Sequence, residues 1–174
     1  MTSPILIAVT GPESTGKSQL CEALAVHYNT VFVPEQARAY LEQLGSKWQY
    51  EDVLQIARLQ QAAIEAALNT KHKVVFCDTE LIAIKVWLQL YGLHCPQWVE
   101  DFINNANIKH YLLMNIDLPW ASDPLRENPD PADRATLFNS FVTELQQHQK
   151  PYSIISGSET ARLRNAINVV DDLV

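Results

Sequence analysis

Residues Gly11–Ser18 read Gly-Pro-Glu-Ser-Thr-Gly-Lys-Ser, a pattern suited to binding a triphosphate. The spacing matches G-x-x-x-x-G-K-[ST], in which backbone N–H groups cradle phosphate oxygens. In such a loop the lysine neutralises β- and γ-phosphate charge, and the final hydroxyl is a ligand for Mg²⁺. We therefore predict ATP and Mg²⁺ as cofactors. The predicted nucleotide contacts in this loop are Gly11, Glu13, Ser14, Thr15, Gly16, Lys17 and Ser18, of which Ser18 also contacts the metal.

The sequence on either side of this loop supplies the strand and the helix that the motif requires. Residues 4–10 form a short, almost wholly apolar run rich in β-branched side chains, which is typical of a strand buried on both faces. Residues 19–28 follow with apolar side chains on one helical face. The N-terminus of that helix adds a positive dipole to the phosphate site. This context favours a phosphate-binding loop over a solvated glycine turn.

Two carboxylates follow the next predicted strands. Asp78 ends an apolar run, residues 74–77, and such an aspartate holds Mg²⁺ directly or through water, although it also suits a helix N-cap. Glu35 follows residues 30–33 and is our candidate to accept a proton from an acceptor hydroxyl. An acidic first helical turn is the alternative interpretation of Glu35, and Asp78 is the rival base. Arg38, one turn further on, could grip Glu35, the acceptor or a phosphate.

A charged, proline-rich stretch, residues 117–134, shows no periodicity until its end. Loops of this length are usually functional or disordered. We predict a lid, anchored by Trp120, in which Arg126 and Arg134 close over the triphosphate. Together with Lys17, these arginines would offset charge on the transferring phosphoryl group. The alternative is a solvated surface loop whose arginines pair with acidic neighbours.

The chain alternates predicted strands and helices, and we expect one domain over residues 1–174. The predicted strands are residues 4–10, 30–33, 73–77, 110–116 and 152–155. The predicted helices are residues 19–28, 35–44, 51–69, 80–91, 96–105, 132–149 and 159–168. Such alternation builds right-handed βαβ units around a parallel sheet, and ligands bind at the carboxyl ends of its strands.

The bulk composition narrows the classes of function. A hydrophobic content of 47% in 174 residues suits a globular protein with a proper core. The net charge of −7 argues against a surface that wraps nucleic acid. No apolar stretch approaches the roughly 20 residues of a membrane span, and no secretion signal is present, so we expect a cytoplasmic protein without membrane contact. The three cysteines lack a C-x-x-C pair, which indicates reduced thiols.

Five segments occur in an order that is more specific than the phosphate loop alone. They are residues 11–18, 33–42 (Val-Pro-Glu-Gln-Ala-Arg-Ala-Tyr-Leu-Glu), 78–81 (Asp-Thr-Glu-Leu), 117–129 (Asp-Leu-Pro-Trp…Asp-Pro-Leu-Arg-Glu-Asn-Pro) and 151–157 (Pro-Tyr-Ser-Ile-Ile-Ser-Gly). Over nearly its whole length the chain resembles the ribosylnicotinamide kinase domain of NadR-type NAD-biosynthesis proteins. The resemblance implies an α/β three-layer P-loop kinase fold, with helices on both faces of a five-stranded parallel sheet of order 2-3-1-4-5, and a lid. It also implies ATP-dependent phosphorylation of the ribose 5′-hydroxyl of nicotinamide riboside, giving nicotinamide mononucleotide.

The resemblance also extends the predicted site. In related kinases the loop after the last strand borders the adenine, which implies that Gly157 and Ser158 do so here. The cationic pyridinium ring of the nucleoside suits aromatic faces, and Trp87, Tyr91 and Trp120 are the candidates. Trp87 and Tyr91 equally fit an ordinary apolar helical stripe. The predicted acceptor site comprises Glu35, Arg38, Asp78, Trp87 and Trp120.

Two departures from the family pattern bear on function. NadR-type proteins often carry an adenylyltransferase domain with an H-x-G-H motif, which this sequence lacks. We expect that activity to be absent, and a separate adenylyltransferase remains open as a partner. Gln36 stands where an aromatic, usually Tyr, is expected, which bears on the choice of substrate. The alternatives are another P-loop nucleoside or nucleotide kinase, and an ATP-binding regulatory module that transfers no phosphate.

Overall fold

A computed structural model of the protein describes residues 3–122 and 130–174, and these form a five-stranded sheet flanked by helices. The strands are β1 (Ile5–Thr10), β2 (Phe32–Val33), β3 (Val74–Asp78), β4 (Ile108–Met114) and β5 (Tyr152–Ile155). The helices are α1 (Lys17–His27), α2 (Gln36–Leu44), α3 (Tyr50–Ala67), α4 (Leu81–Leu90), α5 (Gln97–Asn105), α6 (Pro131–Gln147) and α7 (Glu159–Asp171).

The strands pair in parallel in the order β2-β3-β1-β4-β5, which confirms the implied sheet. β1 is central because its neighbours on either side are β3 and β4. Val9 of β1 lies beside Asp78 of β3, and Thr10 lies beside Leu113 of β4. The phosphate loop therefore begins between the carboxyl ends of two neighbouring strands, where ligands bind in such sheets.

Side chains along β1 alternate between two hydrophobic cores, so the sheet is covered on both faces. Leu6 and Ala8 pack with the helices α3, α4, α5 and α6. Ile7 and Val9 pack with α1 and α7 on the opposite face. Burial on both faces explains why the strand is apolar throughout instead of alternating with polar residues. The predicted three-layer arrangement is confirmed.

A cluster of charged side chains ties α4, α5 and α6 together on one face. The Nζ atom of Lys85 lies 2.8 Å from carboxylate oxygens of both Glu100 and Glu144, and 3.1 Å from Nε2 of His148. Burial lowers the pKa of Lys85, but the two carboxylates outweigh it, so the net pKa is raised. For His148, burial and then Lys85 lower the pKa. The cluster fixes α6 against the helices that follow β3.

Two strand boundaries differ from the prediction for local reasons. Thr30 stays outside β2, and its hydroxyl donates to the Val74 carbonyl instead of its backbone extending the strand ladder. β4 ends at Met114, before the predicted end at residue 116. The amide N–H of Ile116 donates to the side-chain oxygen of Asn115 at 2.8 Å, which turns the chain out of the sheet.

Two of the three cysteines belong to the hydrophobic cores. Cys21 and Cys77 are buried, Cys95 is half-buried, and each is a free thiol. In the described parts of the chain, no helix combines the length and apolar character that crossing a membrane requires.

Candidate nucleotide and acceptor site

Glycines shape both ends of the phosphate loop. Gly11 has φ +130°, and a Cβ there would lie 3.1 Å from the Met114 carbonyl oxygen, because the loop packs against the end of β4. Gly16 has φ +79° and is the N-cap of α1. The first turn of α1 has no acidic side chain, so its N-terminal dipole stays available to an anion. Both glycines satisfy backbone requirements that other residues meet only with strain.

Internal hydrogen bonds hold the loop in a narrow turn. The Thr15 hydroxyl and the Lys17 ammonium both donate to the Pro12 carbonyl, at 2.8 and 2.9 Å. The Ser14 hydroxyl accepts the N–H of Ala121 at 2.9 Å, which joins the turn to the segment after β4. The lysine charge is thus placed against the loop backbone, and a phosphate would compete with the proline carbonyl for it.

Asp78 lies at the end of β3 and is only 1% exposed. Burial raises the pKa of the Cys21 thiol in α1. The negative charge of Asp78 raises that pKa further, and the positive charge of Lys17 lowers it. Cys21 is one helical turn beyond Ser18, so the carboxylate and the start of α1 are near each other. Mg²⁺ prefers oxygen ligands and takes only one or two protein groups beside phosphate oxygens. A hydroxyl and a carboxylate here are a donor set that fits it.

Glu35, the N-cap of α2, brings a second carboxylate into the same region. Burial raises its pKa above the ordinary value; the charge of Lys17 lowers it and that of Asp78 raises it. Glu35 precedes the first turn of α2 and its side chain makes no capping hydrogen bond there, so its role as proton acceptor stays a prediction beside that of complementing the helix dipole. A raised pKa lies closer to working pH, as a general base requires.

Gln60 is a buried amide that links the segments bearing these two carboxylates. Its Oε1 accepts the N–H of Gln36 at 2.9 Å, directly after Glu35. Its Nε2 donates to the carbonyl of Thr79 at 3.1 Å, directly after Asp78. Sequence reasoning missed Gln60. One signal in the sequence could have indicated that Gln60 is buried. It lies on the same face of α3 as the buried residues Val53, Ile56, Ala57 and Ile64.

A cavity of about 730 Å³ extends from the phosphate loop along α4. Lys17, Glu35 and Thr79 line it beside the loop, and Trp87 and Tyr91 line it further along α4. A helix of this length separates Thr79 from Tyr91 by roughly 15 Å. Most other lining side chains are apolar or aromatic, including Leu41, Trp48, Ile56, Ile84, Leu137 and Phe141.

Three aromatic rings meet in this cavity wall. The ring of Trp48 lies 5.1 Å from that of Trp87 and 4.7 Å from that of Tyr91, edge to face in both cases. Trp48 was not predicted, because it follows the break after α2 and belongs to no periodic pattern. All three rings border the cavity, and Trp48 and Trp87 also pack against the core, so contact of Trp87 with a substrate stays a prediction.

Some predicted residues lie outside the cavity lining. Arg38 is exposed and pairs with Glu42 at 3.6 Å, although its charge still lowers the pKa of Glu35. Trp120 does not line the cavity, and its ring centroid lies 5.7 Å from Cζ of Arg134. Asp78 is close to Glu35 but lies behind the lining.

The predicted lid is only partly described. Arg126 lies within residues 123–129, outside the described residues. Arg134 is 7% exposed, and its guanidinium donates to the carbonyls of Leu118 at 3.2 Å and Ser14 at 3.4 Å. It therefore contacts the phosphate loop through backbone groups, and its role toward a phosphoryl group stays a prediction.

The loop after β5 lies beside the segment that follows β4. The N–H of Gly157 donates to Oδ2 of Asp117 at 2.6 Å. Ser158 is the N-cap of α7 and is exposed. Contact of this loop with an adenine remains a prediction.

An all-parallel sheet of this order, with the phosphate loop after its central strand, defines the P-loop kinase fold. Solved structures agree. A crystal structure of NadR protein in complex with NR superposes with a TM-score of 0.81 at 21% identity, over 97% of this chain and 50% of that one. Deoxyadenosine kinase from M. mycoides, with dCMP and dCDP bound, gives a TM-score of 0.67 at 15% identity, over 97% of this chain and 100% of that one.

The chain belongs to the AAA domain family, whose family model matches residues 6–162. It is also 30% identical over 146 residues to the trifunctional NAD biosynthesis/regulator protein NadR of Escherichia coli K12. The match covers 82% of this chain but only 36% of that relative. The resemblance noted from the ordered motifs is thereby confirmed, for a region about one third of the relative's length.

Proposed function

We propose that the protein transfers the γ-phosphoryl group of ATP to the ribose 5′-hydroxyl of nicotinamide riboside, giving nicotinamide mononucleotide. The observation that carries this proposal is that one cavity is bordered both by Lys17 and Glu35, beside the phosphate loop, and by the rings of Trp48, Trp87 and Tyr91 at its other end. Its volume lies within the range of small-molecule sites. A nucleoside has the matching polarity, with a hydroxyl at one end and a flat ring at the other.

The aromatic wall supports a cationic base. A pyridinium ring over the face of Trp48, Trp87 or Tyr91 gains about 0.5–2 kcal/mol from cation–π attraction. The relative named NadR was crystallised with NR, and nicotinamide riboside is the substrate implied by the ordered motifs. The charged residues of the described lining are Glu13, Lys17, Glu35 and Lys47, two of each sign, so the selectivity for a cationic nucleoside is assigned to the aromatic rings.

The proposed mechanism assigns one task to each group. Glu35 accepts the proton of the 5′-hydroxyl while the hydroxyl oxygen bonds to the γ-phosphorus and the bond from that phosphorus to the β–γ bridging oxygen breaks, which releases ADP; Asp78 is the rival base. Lys17 and the backbone N–H groups of the loop stabilise the charge on the phosphoryl oxygens. Ser18 and Asp78 would hold Mg²⁺, which neutralises phosphate charge when it is bound. Gln60 fixes the spacing of the two carboxylate segments.

The central test is an ADP-release assay with a panel of acceptors: nicotinamide riboside, deoxyadenosine, thymidine and thymidine monophosphate. We expect nicotinamide riboside to give the highest kcat/KM. Glu35→Gln should lower kcat by about 100- to 10,000-fold, the usual contribution of a general base. The matched control is Glu42→Gln, an exposed carboxylate on the same helix, which should leave kcat unchanged. Full turnover by Glu35→Gln would remove Glu35 as the base and leave Asp78.

A second test addresses the aromatic wall. Trp48→Leu should raise KM for nicotinamide riboside by about 2- to 30-fold while sparing the neutral dihydro form of the nucleoside, because only the cation gains from the ring. Trp98→Leu is the control, since the Trp98 ring lies on α5, 4.4 Å from Cζ of Arg58 on α3, and does not line the cavity. Equal losses for both nucleosides would exclude recognition of the cation.

Two other functions are separated by the same measurements. A nucleotide kinase would bind an acceptor phosphate, but the basic side chains among the described lining residues are Lys17 and Lys47 alone. An ATP-binding regulatory module would bind nucleotide tightly and release no ADP in the presence of any acceptor. It would also leave the raised pKa of Glu35 without a role.

A further inference from the structure

Arg162 of α7 is a buried cation on the face of the sheet opposite the acceptor cavity. Its exposure is 3%, and it is not among the residues that line the cavity. Sequence reasoning gave it no role, because an arginine near the end of a chain reads as a solvated surface residue. A buried guanidinium is costly unless its N–H groups are all matched, so its contacts need an explanation.

The guanidinium of Arg162 joins three separate loops. It donates to the Thr15 carbonyl of the phosphate loop at 2.7 Å and to the Gly157 carbonyl at 2.8 Å. It also lies 3.4 Å from the Asn115 carbonyl and forms an ion pair with Asp117. The other carboxylate oxygen of Asp117 accepts the N–H of Gly157 at 2.6 Å. The segments after β4 and β5 are therefore bound to the phosphate loop through one side chain.

The bond to Thr15 has a direct consequence for phosphate binding. In a planar trans peptide the carbonyl oxygen and the following N–H point in opposite directions. A guanidinium that fixes the Thr15 carbonyl on the outside of the loop therefore directs the Gly16 N–H inward. An inward N–H is a phosphate donor in such a loop. Because Gly16 has φ +79° and lacks a side chain, this peptide has little else to fix its orientation.

We propose that Arg162, held by Asp117, is a positioning residue that orients the Thr15–Gly16 peptide for phosphate binding and couples the loop after β5 to it. The inference deepens the proposed function, on which its relevance to catalysis rests. Arg162 itself touches no substrate atom. It acts by presenting one backbone donor and by keeping the loop at Gly157 at a fixed distance from the phosphates.

The test measures binding without an acceptor, using two probes: ATP and inorganic tripolyphosphate, which has no base. Arg162→Lys keeps the positive charge but loses the planar guanidinium, whose several N–H groups reach the carbonyls of Thr15 and Gly157 at the same time. We expect it to weaken both probes by about 10- to 100-fold, the usual value of a hydrogen bond to a charged group. Asp117→Asn, at a half-exposed residue, should give a smaller loss in the same direction. Arg164→Ala, an exposed arginine on the same helix, is the control.

A purely structural role predicts a different result. In that case Arg162→Lys lowers the melting temperature, but the folded fraction, checked by circular dichroism, binds both probes as well as the unaltered protein does. That result would overturn the proposal, as would a loss of ATP binding with unchanged tripolyphosphate binding. In turnover assays we expect a raised KM for ATP and an unchanged KM for the nucleoside, because α7 lies across the sheet from the cavity.

The two proposals can fail separately. If the protein binds ATP but does not phosphorylate nicotinamide riboside, the proposed function fails, and the binding measurements still decide the role of Arg162. If turnover is found and Arg162→Lys binds both probes normally, only the role of Arg162 fails. If the unaltered protein binds neither probe, both proposals are overturned.

Discussion

Glu80 is a buried carboxyl group whose ionisation should destabilise the protein at neutral pH, and Glu80→Gln tests this directly. The residue is the N-cap of α4 and is 1% exposed. Its two oxygens accept the Thr10 hydroxyl at 3.2 Å and the Ile82 N–H at 2.7 Å. Burial nevertheless raises its pKa from 4.5 to about 7, because these bonds only partly replace the lost water.

The folded protein binds the proton of the Glu80 carboxyl group more tightly than the unfolded chain does, and this sets the direction in which stability changes with pH. Between about pH 4.5 and pH 7 the folded state binds more protons than the unfolded state, so the free energy of unfolding falls as the pH rises. At about 1.4 kcal/mol for each pKa unit, ionisation costs about 3 kcal/mol above pH 7. Glutamine removes this cost. Its amide can accept from Ile82 and donate to Thr10, so both buried bonds are retained.

The assay is urea unfolding of Glu80→Gln and of the unaltered protein from about pH 5 to about pH 8.5. We expect similar stabilities near pH 5 and an advantage of about 3 kcal/mol for the variant above pH 7. The difference between the two proteins isolates this carboxyl from other titrating groups. Asp130→Asn is the control, because Asp130 caps α6 in the same way but is exposed. A difference between variant and unaltered protein that stays constant across this pH range would refute the reasoning.

Three further substitutions test other parts of the structure. Gln60→Ala should lower the free energy of unfolding by about 1–3 kcal/mol and also lower kcat, since the partly buried Gln36 N–H loses its Gln60 partner and the Thr79 carbonyl keeps Cys77 Sγ but loses the amide donor; Gln61→Ala, whose side chain donates to Glu65 on the same helix, is the control in both assays. Lys85→Met should cost about 3 kcal/mol near pH 7, because two carboxylates are left facing each other, and urea unfolding at lower pH should show a smaller loss. Gly11→Ala should cost about 1–3 kcal/mol and weaken tripolyphosphate binding, and calorimetric titration showing normal binding would contradict the assigned loop geometry.

The strands and the phosphate loop could be predicted because their signals are local, whereas the order of the strands in the sheet came from the resemblance to a known family. β1 is an uninterrupted apolar run, and the glycines, lysine and serine that follow are adjacent in sequence. The cores on the two faces require apolar strands and amphipathic helices, and these patterns lie within single segments. Asp78 and Glu35 were found for the same reason, since each directly follows a strand.

The remaining parts of the site depend on contacts between distant residues. Arg162 and the Thr15 carbonyl are 147 positions apart, and nothing local to either residue indicates the contact. Trp48 lies in a short connection without periodicity, so only the folded chain brings it to Trp87. Lys85 reads as a solvated charge in an otherwise apolar helix, yet its partners on α5 and α6 make it part of the interior.

The origin of the cavity wall has a consequence for engineering. Apart from the phosphate loop, its lining comes from one continuous stretch, residues 35–91, with Leu137 and Phe141 of α6 as the additions. The groups that Arg162 gathers lie outside that stretch. Under the proposed function, recognition of the acceptor therefore depends mainly on one contiguous block of the sequence. A chimera that exchanges this block but keeps Glu35 and Asp78, together with the two α6 side chains, should change which nucleoside is phosphorylated while the groups proposed for ATP and Mg²⁺ are retained.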